Sequence, residues 1–168
     1  MPKARKPKSG TLSAPAPGLP PRLQVAALCW RRSRRKGLRV LLITSRDTGR
    51  WVIPKGWPMK NRSDADAAAR EAWEEAGLRG TVAERSVGLY TYPKQLGPRR
   101  AVPVAVRVFP LEVREMVRQY PETGQRRVRW FGRDAAARRV AEPELKAIIR
   151  GFDPFPPADD VAAAGGDA

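Results

Sequence analysis

The sequence predicts an α+β domain in which a mixed β-sheet is covered by helices. Three observations lead there. Apolar and alternating segments rich in Val, Leu, Ile and aromatic residues stand on both sides of a single alanine-striped helix, and a second helical region closes the chain. A length of 168 residues with 42% hydrophobic content suits one domain with one core. Finally, no run of about eighteen apolar residues exists, so the chain is not expected to span a membrane. The lone cysteine, Cys29, lies in an apolar run, permits no internal disulfide and fits a reducing, cytoplasmic setting. Histidine is absent, which removes serine–histidine hydrolysis, His-ligated zinc and histidine acid–base chemistry. Carboxylates remain as the proton acceptors.

Residues 1–21 combine Lys3, Arg5, Lys6 and Lys8 with six prolines and are expected to form a disordered basic arm, with no apolar stretch that would make a secretory signal. Residues 24–30 and 38–45 read as two strands of a hairpin joined by the basic turn 31–37. A loop with an Asp-Thr-Gly turn signal follows, then a short strand at 51–53. After the central helix, strands are expected at 78–87 and 87–91, a loop at 90–100, and a long strand at 101–111. A loop at 112–123 and a strand at 126–131 come next. A helix is expected from Asp134 to Val140, and another from Pro143, placed at its first turn, to Arg150. The domain is thus drawn at residues 22–151, with a flexible tail at 152–168.

The central helix carries the chemistry. Ser63 is placed to cap it, Asp66 stands at the capping-box position, and Gly77 takes the C-terminal cap. Ala65, Ala68, Ala69, Ala72 and Ala76 form a stripe small enough to lie flush on a sheet. Glu71, Glu74 and Glu75 occupy another face, where like charges repel by roughly 0.2–0.5 kcal/mol per pair. Two readings account for them: a solvated acidic face partly neutralised by Arg70, or a site for a hard cation held by carboxylate oxygens.

The segment from Gly56 to Leu78 resembles the box of the Nudix hydrolases, G-x5-E-x7-R-E-U-x-E-E-x-G-U, where U is apolar. Gly56, Arg70, Glu71, Ala72, Glu74, Glu75, Gly77 and Leu78 fall at the required positions, and only the first box glutamate departs, being Arg62. The resemblance covers about residues 22–151 and implies an α/β/α sandwich. It also implies hydrolysis of a phosphoanhydride with Mg²⁺, or alternatively Mn²⁺. By the same resemblance, Glu71 and Glu75 are the metal pair, Gly56 offers its carbonyl oxygen, Glu74 is the base and Arg70 orients it. A ligand from outside the helix would come from Glu112, Glu115 or Glu122.

Ser45-Arg46, followed by Trp51-Val52-Ile53-Pro54, resembles the diphosphoinositol polyphosphate phosphohydrolase and diadenosine polyphosphate hydrolase branch, where the serine and arginine hold phosphates. Lys55, Lys94, Arg99 and Arg100 are expected to line the same pocket. A net charge of +16 suits a polyanionic small-molecule substrate and also admits nucleic acid. The leading expectation is a pyrophosphohydrolase acting on a diphosphoinositol polyphosphate, dinucleoside polyphosphate or polyphosphate. The alternatives are a hydrolase of modified nucleotides or RNA 5′ ends, and a non-catalytic binder of phosphorylated ligands or RNA disabled by Arg62.

Overall fold

The computed structural model describes residues 21–155. The expected basic arm, save its last residue, and the tail beyond 155 lie outside the described residues. The order of elements is β1 (Arg22–Ser33), β2 (Gly37–Thr44), β3 (Trp51–Val52), β4 (Lys55–Gly56), α1 (Asp64–Ala76), β5 (Leu78–Val82), β6 (Gly88–Gln95), β7 (Ala101–Met116), β8 (Val128–Gly132), α2 (Arg133–Arg139) and α3 (Pro143–Gly151).

Strand β1 is the axis of the sheet. It runs parallel to β7, from Arg22 opposite Val104 to Trp30 opposite Glu112, and antiparallel to β2 and β4. Strands β3 and β8 extend the sheet from β2, while β6 and β5 share the far side of β7. The sheet is therefore mixed. Its central strand reads as a continuous apolar run because both faces are covered. Val25, Ala27 and Cys29 pack under α1, whereas Ala26, Leu28 and Trp30 join Ala136, Leu145 and Ile149 of α2 and α3 on the other face. The period-two alternation of β1 thus builds both halves of an α/β/α sandwich.

Helix α1 follows its local signals. The Ser63 side chain accepts the Asp66 backbone N–H at 3.1 Å, and Gly77 ends the helix at φ 68°. A Cβ at Gly77 would strike Tyr120, so a side chain is disfavoured there on two counts. Ala65, Ala68, Ala72 and Ala76 are buried on the sheet; Ala67 is fully buried as well, while Ala69 is only partly so. Cys29 is a core residue whose thiol is pushed up by burial.

Several boundaries differ from the sequence expectation. Residues 90–95 are not a loop: β6 continues to Gln95, pairing with β7 down to Ala101, and only the tip of this hairpin is irregular. Pro93 is tolerated because β6 pairs on one side only. Strand β7 runs on through Glu112 to Met116 against β5, so Glu112 and Glu115 belong to a strand and not to the expected loop at 112–123. The basic turn is shorter than 31–37, since Arg31 to Ser33 stay in β1 opposite Arg39 to Gly37. Packing also continues past residue 151: Phe152 is buried, and Phe152 and Phe155 stand edge-on to Trp30 at 6.0 and 5.7 Å.

Candidate active site

The segment between β3 and α1 brings a glycine under the box helix. Strand β4 pairs Gly56 with Val25 of β1, which fixes the backbone beneath Glu71. A Cβ on residue 56 would overlap the Glu71 carboxylate, so glycine makes the space that this side chain fills.

One turn along α1, Glu75 is buried, and each carboxylate oxygen has a partner. Oε2 accepts the Lys55 backbone N–H at 3.2 Å, and Oε1 faces Arg126 Nη2 at 3.4 Å. The same Arg126 nitrogen stands 3.3 Å from Glu122 Oε1, and Nη1 donates to the Thr44 carbonyl at 3.2 Å. The Glu122 backbone N–H donates to the Glu74 carbonyl at 3.0 Å, which pins the segment after β7 to α1. Glu74 itself is held by Arg70 Nε at 2.8 Å. Of the three glutamates considered outside the helix, Glu122 is the one brought to this cluster; Glu112 pairs instead with Arg114 at 3.1 Å.

Four carboxylates thus share one end of α1 with a single buried guanidinium. Burial, and then the charges of Glu75, Glu74 and Glu122, push the Glu71 carboxyl up to about 8. Burial pushes Glu75 up to about 7 against the opposing pull of Arg126 and Lys55. Burial also lowers the Lys55 ammonium, opposed by Glu75. The donor set is all oxygen, which suits a hard divalent cation, and the raised carboxyls mark a shortage of positive charge that such a cation would make good. The arrangement is not a closed cage. Arg126 lies between Glu75 and Glu122, and among the described residues no three acidic, histidine or cysteine side chains stand in cation-holding positions.

A cavity of about 490 Å³ opens beside Lys55, lined by Ser45, Arg50, Lys55, Tyr92, Lys94 and Glu142 among others. Ser45, Lys55 and Lys94 therefore meet as expected, with Lys94 presented by β6 rather than by a loop. Lys55 Nζ lies 5.2 Å from the Tyr92 ring centroid. Arg46 and Arg100 do not join them. Arg46 turns to the carboxylate cluster, 3.1 Å from Glu122 Oε1 and donating to Gln125 Oε1 at 2.9 Å. Arg99 and Arg100 are exposed at the tip of the β6–β7 hairpin.

Arg62 is exposed in the turn before α1, and among the described residues it forms no salt bridge with the glutamates. Sequence reasoning passed over Arg126, Arg50 and Glu142. Arg126 stands in an arginine-rich stretch that gave no local signal; Glu142 offered only its place before Pro143.

Comparison with known proteins gives the family and the fold. A family model described as the NUDIX domain matches residues 21–152. Nudix hydrolase 16, mitochondrial, from Arabidopsis thaliana is 30% identical over 70% of this chain and 67% of its own length. Diphosphoinositol polyphosphate phosphohydrolase 3-alpha from Mus musculus is 31% identical over 64% of this chain and 62% of its own. Other curated relatives are matched over as little as 40% of their length, so the chain spans between about two fifths and two thirds of these proteins. Among solved structures, a C. elegans Ap4A hydrolase binary complex superposes with a TM-score of 0.57 at 20% identity, covering 84% of this chain and 98% of that one. The NUDIX domain of Shewanella oneidensis NrtR complexed with ADP ribose gives 0.58 at 14% identity, over 79% and 86%. These two show likeness of fold. With its sandwich, its capped box helix and a domain match that takes in nearly every described residue, the chain belongs to the Nudix family.

Proposed function

We propose that the protein hydrolyses a phosphoanhydride bond in a polyphosphorylated substrate with the help of Mg²⁺ or Mn²⁺. The observation that carries this reading is the convergence of Glu71, Glu74, Glu75 and Glu122 at one end of α1, next to a cavity edged by Lys55 and Lys94. Glu71 and Glu75, with the Gly56 carbonyl, would hold the cation. When bound, it supplies charge neutralisation for the phosphate oxygens in the transition state.

The rest falls to side chains of the chain itself. Arg70 orients the Glu74 carboxylate at 2.8 Å, so that Glu74 accepts the proton of the attacking water at a carboxylate oxygen. Lys55 fixes Glu75 through its backbone N–H and meets substrate phosphate through its ammonium. Ser45 and Lys94 add a donor and a charge along the same wall. Arg126 orients Glu75 and Glu122, and Arg46 supports Glu122 from outside. The exposed place of Arg62, away from this network, supports a working enzyme over a disabled binder.

The test is phosphate and pyrophosphate release from a panel of diphosphoinositol phosphates, diadenosine polyphosphates, inorganic polyphosphate, ADP-ribose and 8-oxo-dGTP. Turnover of polyphosphorylated members supports the reading. Silence across the panel with tight binding of the same ligands would replace it with the binder.

A further inference from the structure

Strand β8 is an edge of the sheet, paired with β2 alone among the described residues. Its Arg129 and Phe131 stand opposite Leu42 and Val40, on the face that α2 covers. Three guanidiniums lie over aromatic rings along this edge. Arg127 Cζ is 5.4 Å from the Trp51 ring centroid, and Arg129 and Arg139 stand over Phe131 at 5.4 and 5.3 Å. The two rings meet edge-on at 5.2 Å, so these groups form one continuous strip. It begins at Trp51, the neighbour of the cavity-lining Arg50, and ends on the last turn of α2. All three arginines are exposed, and none forms a salt bridge among the described residues.

We propose that this strip is a docking surface for single-stranded RNA, apart from the carboxylate cluster and independent of the hydrolase reading. Like charges gathered without a counter-charge repel, and phosphates laid along the strip relieve that repulsion. The rings hold each guanidinium flat on the surface. Its outer plane is then open to a base stacked on it, and its edge offers a fork of N–H donors to a phosphate. A bare anion would need only charge, which lysine also supplies, yet all three positions carry arginine. A lipid surface is a poorer fit, because none of the exposed large apolar residues, Leu23, Trp57 and Leu89 among them, lies on the strip.

The experiment is fluorescence anisotropy on the full chain in EDTA, with a labelled single-stranded RNA of about twelve nucleotides carrying a 5′-hydroxyl. Replacing Arg127, Arg129 and Arg139 together by Gln is expected to weaken binding at least about tenfold and to lower the salt slope by about two. Replacing Arg22, Arg85 and Arg118 by Gln removes the same charge from exposed positions elsewhere, and affinity is expected to stay within about threefold of the parent's. An abasic strand of the same length is expected to bind the parent at least about tenfold more weakly than the RNA, for want of stacking. Replacing the three strip arginines by Lys keeps the charge, and is expected to keep the salt slope while collapsing that RNA-to-abasic ratio. Equal losses in the two Gln triples, no loss in the strip triple, or an abasic strand that binds like RNA would overturn the proposal. So would a Lys triple with the parent's ratio, or binding to phosphatidylserine vesicles with none to RNA.

Discussion

Arg126 Nη2 lies 3.4 Å from Glu75 Oε1, and both side chains are only 9% exposed. Neither residue is near the other in sequence, yet this pair joins β8's approach to the box helix and places the one buried guanidinium among four carboxylates. Removing one partner of a buried pair leaves an uncompensated charge, at a cost of about 3–5 kcal/mol. Arg126→Ala is therefore expected to lower the thermal midpoint strongly in the absence of divalent cation. Added Mg²⁺ is expected to recover part of the loss. Calorimetry with and without Mg²⁺ checks both; a midpoint equal to that of the unaltered protein would show the pair to be incidental.

Glu74→Gln keeps the shape of the proposed base and removes its basicity. Turnover is expected to fall at least about a hundredfold, the lower end for loss of a general base. The thermal midpoint should stay close to that of the parent, because Glu74 is partly exposed and contacts Arg70 only at the surface. Steady-state kinetics decides it, and unchanged turnover would remove Glu74 from the mechanism.

Gly56→Ala tests the space beneath Glu71. The new methyl would overlap that carboxylate and force it aside. Support of a metal ligand is worth about 10–100-fold in metal affinity, so the Mg²⁺ concentration for half-activation is expected to rise by at least about tenfold. An unchanged Mg²⁺ dependence would mean that Glu71 does not need its position.

The raised carboxyls set a pH dependence for the metal-free protein. Glu71 and Glu75 take up protons more readily folded, at about 8 and about 7, than unfolded, near 4.5. The folded state thus binds more protons across that window, and stability falls as pH rises from about 4.5 through 8. Chemical denaturation in EDTA at pH 5 and pH 8 should show the decline, and Glu71→Gln should flatten it. Excess Mg²⁺ is expected to reduce it too, because a cation binds the charged carboxylates. Stability that rises over this range would contradict the assigned cause.

The parts of the fold legible in the sequence were those written in local chemistry. Ser63, the alanine stripe and Gly77 specify α1 without help from distant residues, and the alternating β1 and β2 specify the hairpin. The first part of strand β6 was expected at 87–91, but its continuation to Gln95 was hidden because Pro93 is a breaker except at places such as an edge, and edge position is settled by tertiary pairing. The box carboxylates were readable from spacing and resemblance. Glu122 could be shortlisted but not chosen, since its place depends on a backbone bond to Glu74 formed only on folding. The aim of Arg46 was not legible, because a motif gives position along the chain and not the direction of a long side chain, which here turns to Glu122. The Arg50–Glu142 pair spans 92 residues and left no local trace.

The most direct test of the central claim is the Mg²⁺ dependence of phosphate or pyrophosphate release, measured on diadenosine tetraphosphate for the parent protein and for Glu71→Gln and Glu75→Gln. The account predicts saturable activation by Mg²⁺, abolished by EDTA, with both variants needing at least about tenfold more Mg²⁺ or losing turnover altogether. Turnover that persists in EDTA, or variants with the parent's Mg²⁺ curve, would contradict it.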